Sequence, residues 1–279
     1  MKRISLYPNA KRDPDFRYTR EAIRLLSEAG AEILVRRDCF SPLSDFADRV
    51  EFVTEEELFS RGECLIPFGG DGTILSVAKR AAEAKIPICG FNLGHVGFLT
   101  AAEKGEIGLL PRLLTGKYRI SQRMMLTCRI NGEEALCALN ECVIVPERGV
   151  HILELSVACG RRKLCNVRAD GLIFHTPTGS TGYAFSAGGA VIDGGLDTIG
   201  VKTVSSYLLR GAQHMIFSPD TVFTVRDCRS ECPVTVCADG RETRVLAPGD
   251  VLQFSRSEKR VSLISFSDRT THEIFFRKS

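Results

Sequence analysis

The chain has 279 residues, 37 of them basic and 34 acidic, for a net charge of +3 at neutral pH. A hydrophobic fraction of 44% and a charged fraction of 25% are ordinary for a globular protein and supply enough apolar side chains for two cores. The near balance of charge gives no reason to expect nucleic acid, and no apolar run approaches a bilayer span, so neither nucleic acid nor membrane is expected as a partner.

In chain order, the first part alternates strands and helices. Residues 4–7 form a strand-like run, residues 16–29 an amphipathic helix closed by Gly30, and residues 31–35 the next strand. A polar, Pro-containing stretch leads to two short apolar strands, residues 64–68 and 86–91, with an amphipathic helix from Ile74 between them. Residues 103–114 read as one more helix. The β-α-β-α order predicts a parallel sheet covered by helices. After about Tyr118 the pattern becomes short strands with turn dipeptides. Residues 124–130, Asn131-Gly132 and 135–145 predict a hairpin with a type I′ turn. Further strands follow at 153–158, 163–167, 222–225, 234–238, 243–246 and 251–254, with a second hairpin turn at Asp239-Gly240. The expected architecture is an α/β unit over residues 1–118, to which 255–279 returns, and a β-rich unit over 119–254.

The 11 cysteines are scattered, most in apolar runs (Cys64, Cys89, Cys137, Cys142, Cys165), the pattern of buried thiols in a reducing compartment. Cys228, Cys232 and Cys237 lack the spacing of zinc ligands. Met1 to Tyr7 enters a strand with no secretory h-region, so a cytoplasmic location is expected.

Four segments carry chemistry. Gly69-Gly70-Asp71-Gly72-Thr73 sits between a strand and a helix, where glycines let backbone and ligand approach and the helix N-terminus offers N–H groups to phosphate. The loop is neither of the two common nucleotide-loop patterns. A carboxylate beside phosphate needs another role: Asp71 either holds a hydrated Mg²⁺ or takes a proton from a hydroxyl nucleophile. Asn92-Leu93-Gly94-His95-Val96-Gly97-Phe98-Leu99 follows the next strand, at the carboxyl end where open α/β sheets bind ligands. Asn140-Glu141 interrupts an apolar run and must find partners or meet a ligand. The segment from Asp170 to Gly189 is dense in hydroxyls (Thr176, Thr178, Ser180, Thr181) and suits a polyhydroxyl ligand, with Tyr183 offering a ring face.

In order and spacing these four segments resemble the motifs of the bacterial NAD kinases over nearly the whole chain, with Thr176-Pro177-Thr178-Gly179-Ser180-Thr181 the most specific piece. The glycine loop alone is shared with lipid and 6-phosphofructokinase-type kinases. The resemblance implies a Rossmann-like N-terminal domain, a β-sandwich-like second domain and a C-terminal segment packing back on the first. It implies a kinase that phosphorylates the adenosine 2′-hydroxyl of NAD with ATP, carrying Mg²⁺ or another divalent cation with the ATP and with no direct metal ligand from the chain. A homo-oligomer, dimer or tetramer, is implied as well. Asp71 is then the base. Gly69, Gly70, Gly72 and Thr73 lie near the ATP phosphates, and Asp71 and Gly72 also face NAD. Phe98 packs beside the adenine, Asn140 binds it, and Glu141 binds the ribose hydroxyls. Thr178, Thr181 and Tyr183 line the adenine side; Asp170 and Ser186 line the nicotinamide side.

Two positions depart from the family pattern. His175 stands where a small hydroxyl residue is usual, and Gly182 where Ala is usual. Residues 205–219 fit loosely, and no role is carried over there. His95, His151, His214 and His272 have no metal spacing and are expected to be structural. A dehydrogenase is rejected because Pro8-Asn9-Ala10-Lys11-Arg12, not G-x-G-x-x-G, follows the first strand. A lipid kinase has no obvious use for Asn140-Glu141 or the Thr-Pro-Thr-Gly loop, and a non-catalytic NAD sensor has no use for Asp71.

Overall fold

A computed structural model describes residues 1–94, 97–148, 151–207, 213–267, 273 and 275. His95, Val96 and His272, named above, lie outside the described residues, as do 208–212 of the loosely fitting segment. The chain divides into two units: Met1–Gln122 with Val261–Ser279, and Arg123–Arg260.

In the first unit, strands β1 (Arg3–Tyr7), β2 (Glu32–Arg36), β3 (Glu51–Val53), β4 (Cys64–Gly69), β5 (Phe91–Asn92) and β6 (Ala102–Glu103) form one sheet in the order β3-β2-β1-β4-β5-β6. Every pairing is parallel. That is the doubly wound order, and it reverses direction between β1 and β4. The strands read as apolar runs because both faces are covered: Ile4, Leu6, Ile33, Val35, Cys64, Ile66 and Phe68 are all buried. Helix α1 (Arg17–Glu28) buries Thr19, Ala22, Ile23 and Leu26, one stripe at helical spacing. Helix α2 (Glu55–Arg61) begins in a capping box between Thr54 and Glu57. Helix α3 (Asp71–Ala84) follows β4 directly and buries Ile74, Val77, Ala78 and Ala81.

Two predicted elements differ. Residues 104–113 form a 3₁₀ run rather than an α-helix, because Gly105, Gly108 and Pro111 weaken the α ladder. The apolar run 86–91 contributes only Phe91 to a named strand; Pro87 lacks an N–H, and Ile88 instead bridges Leu65 and Leu263. That bridge brings the C-terminal segment back to the first unit: Ile88 N–H donates to Ser262 O at 2.8 Å, Ile264 N–H donates to Ile88 O at 2.8 Å, and Ile264 joins the core.

The second unit contains two six-stranded antiparallel sheets. One runs β11-β10-β15-β18-β7-β8 and the other β14-β13-β12-β9-β16-β17. The strands are β7 (Arg119–Ile130), β8 (Glu133–Ala138), β9 (Glu141–Pro146), β10 (Leu153–Cys159), β11 (Arg162–Ala169), β12 (Gly171–His175), β13 (Ile199–Val204), β14 (His214–Phe217), β15 (Phe223–Arg229), β16 (Val234–Ala238), β17 (Glu242–Val245) and β18 (Leu252–Ser265). The main core takes side chains from both sheets, with Phe174 of β12 stacked on Phe254 of β18 at 4.1 Å between ring centroids. Asn131 (φ 54°) and Gly132 (φ 91°) both take left-handed backbone, as a type I′ hairpin between β7 and β8 requires. The run 135–145 is two strands, not one, with a break at Leu139–Asn140. Residues 252–254 and 261–265, from two runs read separately in the sequence, belong to one long strand, β18.

Candidate active site

In the first unit the glycine loop leaves β4 at the point where the strand order reverses, the position at which doubly wound sheets bind ligands. Asn9, just past the end of β1, donates to Thr73 Oγ1 at 3.3 Å and ties the two strand ends together. None of Gly69, Gly70 and Gly72 takes left-handed backbone. Gly69 is required for a different reason: a Cβ there lies 2.1 Å from Thr73 Oγ1. Thr73 packs against the strand end, and the loop closes tightly over the first turn of α3.

Asp71 is the first residue of α3 and is half-buried. Its Oδ2 accepts from Phe98 N–H at 2.9 Å and its Oδ1 from Leu99 N–H at 3.1 Å. Gly97 makes room for the carboxylate, since a Cβ there meets Asp71 Oδ1 at 2.6 Å. The carboxylate is therefore held in one orientation by the segment after β5, and each oxygen keeps a further lone pair. Asn92, at the end of β5, donates to Glu103 Oε2 at 2.7 Å and accepts from Gly94 N–H at 3.0 Å. The glycine loop and residues 92–94 and 97–99 thus form one cluster. Phe98 enters it through its N–H as well as its half-buried ring.

In the second unit, Asn140 and Glu141 stand where the chain turns from β8 into β9. Asp239 organises that turn: Oδ2 accepts from Leu139 N–H at 2.8 Å, and Oδ1 accepts from Asn140 N–H at 2.8 Å and Glu141 N–H at 3.1 Å. Three N–H groups that a continuous strand would spend on its ladder converge on one carboxylate, which explains the break. Thr176 ties the hydroxyl loop to the same place. Its N–H donates to Asn140 O at 2.9 Å, its hydroxyl donates to Leu139 O at 2.6 Å, and that hydroxyl accepts from Gly179 N–H at 3.1 Å. Gly179 lies flat on Asn140, where a Cβ would fall 2.2 Å from Asn140 O. Thr178 is buried, and its carbonyl accepts from the Thr181 hydroxyl at 3.2 Å. The short helix α4 (Tyr183–Ser186) follows; the Tyr183 ring is 41% exposed, and Ser186 donates to Gly182 O at 3.5 Å.

Three buried acceptors in these segments have no partner among the described residues: Asn140 Oδ1, Glu141 Oε2 and Asp170 Oδ1. Burial and the neighbouring Asp239 push the Glu141 carboxyl up to about 7, against a weaker opposing contribution from the Tyr183 N–H. Gly182 leaves that carboxylate room, since a Cβ there meets Glu141 Oε2 at 3.1 Å. Sequence reasoning missed Asn9, Asp239 and the positioning role of Thr176. Asp239 sat inside a hairpin-turn signal, and nothing in the sequence links it to residues 139–141.

His214, expected to be an isolated structural residue, instead pairs with His175, their Nε2 atoms 2.8 Å apart.

A doubly wound unit with a fixed carboxylate at its switch point, and an all-β unit with buried unpartnered acceptors, are the two parts of a nucleotide phosphotransferase. The family of the ATP-NAD kinase N-terminal domain matches residues 17–118, and that of the ATP-NAD kinase C-terminal domain matches residues 139–266. The NAD kinase of Natranaerobius thermophilus is 30% identical, over 100% of this chain and 98% of its own. That of Symbiobacterium thermophilum is 31% identical over 92% of each. Among solved structures, yeast NADH kinase complexed with NADH superposes with a TM-score of 0.84 at 20% identity, covering 99% of this chain and 86% of that one. An NAD kinase from Archaeoglobus fulgidus in complex with ATP superposes with a TM-score of 0.72 at 24% identity, covering 96% and 94%. The chain belongs to the NAD kinase family, the phosphotransferases that convert NAD to NADP with ATP.

Proposed function

We propose that Asp71 is the base of this reaction and that the second unit reads the adenosine half of the acceptor. The 2′-hydroxyl proton passes to Asp71, the O2′–Pγ bond forms, the bond from Pγ to the bridging oxygen breaks, and ADP leaves. The fixed orientation of the Asp71 carboxylate supports this role, because a base must be held on the proton it removes. Gly69, Gly70, Gly72 and Thr73 lie at the N-terminus of α3, whose positive dipole end attracts the ATP phosphates. Mg²⁺, carried by ATP, would supply neutralisation of charge on the phosphate oxygens. With Asp71 committed to the proton and no cluster of metal-ligating side chains among the described residues, the chain fits a cation held by phosphate and water.

The observation that carries the acceptor reading is the set of buried acceptors without partners. Asn140 Oδ1 and Glu141 Oε2 are costly to bury unless a ligand supplies donors, and the adenine amino group and the ribose hydroxyls are such donors. Thr178, Thr181 and Tyr183 then line the adenine side, Phe98 packs beside the adenine, and Asp170 and Ser186 lie toward the nicotinamide. The working enzyme is a homo-oligomer, dimer or tetramer, of the cytoplasm. No helix among the described residues is long and apolar enough to cross a membrane.

Steady-state NADP formation from ATP, Mg²⁺ and NAD tests the proposal, with NADH and polyphosphate substituted in turn for acceptor and donor. Turnover that requires Asp71 and an NAD KM that depends on Glu141 support it. NAD binding without turnover would make the chain a sensor and remove the role of Asp71.

A further inference from the structure

We propose that His175 and His214 are a pair of positioning residues that hold the acceptor-binding segment, residues 176–190, to its sheet through one fixed order of protons. This rests on the reading above that residues 178–186 bind NAD.

The order of protons follows from partners whose character is fixed. The Thr176 carbonyl can only accept, so His175 Nδ1, 2.8 Å away, carries a hydrogen and donates it. The Ala190 N–H can only donate, so His214 Nδ1, 3.1 Å away, is unprotonated and accepts. A neutral imidazole has one ring hydrogen, which in His214 must then sit on Nε2. It points at His175 Nε2, which the first assignment leaves bare, across 2.8 Å. Each ring nitrogen is matched once. The chain of bonds runs from Ala190 N–H through both rings to Thr176 O, and so spans the two ends of the segment that carries Thr178, Thr181, Tyr183 and Ser186.

The fold is built around the pair. His175 ends β12 and is fully buried; its partner across β13 is Gly200, where a Cβ would lie 2.0 Å from His175 Nε2, so only glycine admits the ring. His214 lies on β14 opposite Lys202. Thr176, next to His175, is the residue that bonds Leu139, Asn140 and Gly179. The pair thus sets the backbone from which the Asn140-Glu141 turn and the hydroxyl loop are hung.

A third proton has no place in this arrangement, since it would set two N–H donors face to face. The charged groups facing the pair are Lys202, across from His214, and Glu141, the β9 neighbour of His175. Burial pushes His175 down to about 4, and burial with Lys202 pushes His214 down as well, so the neutral pair persists through neutral pH.

The first test is ¹⁵N NMR of the full chain labelled at histidine. Near pH 7 it should show His175 protonated at Nδ1 only and His214 at Nε2 only; the opposite tautomer at either ring overturns the proposal. The second is kinetic. His214→Phe, on an edge strand, keeps the ring shape and removes both polar atoms. NAD KM should rise about 5- to 10-fold, the loss of one or two buried hydrogen bonds. Both kcat and ATP KM should stay within about 2-fold, the split that a misfolded site does not produce. His175→Ser should act alike, and the double variant should be no worse than the worse single one, because the pair acts as a unit. An NAD KM within 2-fold of the parent in His214→Phe, or equal losses for NAD and ATP, overturns the proposal. Absence of NADP formation in the parent would defeat the acceptor reading instead, and the tautomer measurement would still decide the pair.

Discussion

Replacing Glu141 by Gln should change how stability depends on pH, with a sign and size that follow from the site. Burial and Asp239 raise the Glu141 carboxyl from its ordinary 4.5 to about 7. Between those values the folded chain holds a proton that the unfolded chain has released. Stability therefore falls as pH rises through this window, at about 1.4 kcal/mol per pH unit. The whole loss is roughly 3 kcal/mol, complete above about pH 7 and absent below about pH 4.5. Glu141→Gln cannot titrate, so its stability relative to the parent should climb by that amount between pH 4.5 and pH 8. Urea denaturation followed by circular dichroism at several pH values across that range measures the difference. Parallel curves for parent and variant would refute the reasoning, because they would mean that Glu141 ionises in the fold as it does in water. A linked result follows for the ligand. Ribose hydroxyls donating to the carboxylate favour its ionised form, so NAD binding near pH 6.5 should release a fraction of a proton, seen by calorimetry in buffers of different ionisation heat and lost in Glu141→Gln.

Asp71→Asn keeps size and an acceptor but cannot take the proton; kcat should fall by about 10²–10⁴ with NAD affinity changed much less, and turnover within a few-fold of the parent would remove Asp71 from the role of base. Asp239→Asn presents N–H groups to one of the three backbone N–H donors, so it should cost about 1–3 kcal/mol of stability and raise NAD KM more than ATP KM, measured by denaturation and initial rates; an unchanged NAD KM would mean that the 139–141 turn holds its shape without the carboxylate. Gly179→Ala drives a Cβ to 2.2 Å from Asn140 O, a backbone atom that cannot swing away, and should raise NAD KM at least about 10-fold while ATP binding survives; separate titrations of the two ligands check this.

The sequence carried the architecture well because its signals were local. Apolar runs between glycine turns marked β1 and β4, helical spacing marked α1, and Asn131-Gly132 marked a hairpin whose two residues do take left-handed backbone. It failed where a tertiary partner overrides a local pattern. Residues 135–145 are apolar enough for one strand, and only Asp239, 98 to 100 residues away, breaks them. Residues 104–113 have a helical period, but their glycines and proline tighten the run. The segments chosen for chemistry do fall into clusters within each unit, Asp71 with Phe98 and Leu99, and Asn140-Glu141 with Thr176 and Gly179. What holds them was not legible: the His175–His214 pair joins residues 39 apart, and a lone histidine gives no sign of its partner.

The central claim is that the γ-phosphoryl group of ATP goes to the adenosine 2′-hydroxyl of NAD, with Asp71 accepting the proton. Incubating the full chain with NAD, Mg²⁺ and ATP labelled at the γ-phosphate, then locating the label by ³¹P NMR of the isolated dinucleotide, tests it directly. The account predicts one labelled 2′-phosphomonoester per ADP formed, and almost none with Asp71→Asn. Label released as inorganic phosphate, or found at another position of NAD, would contradict it.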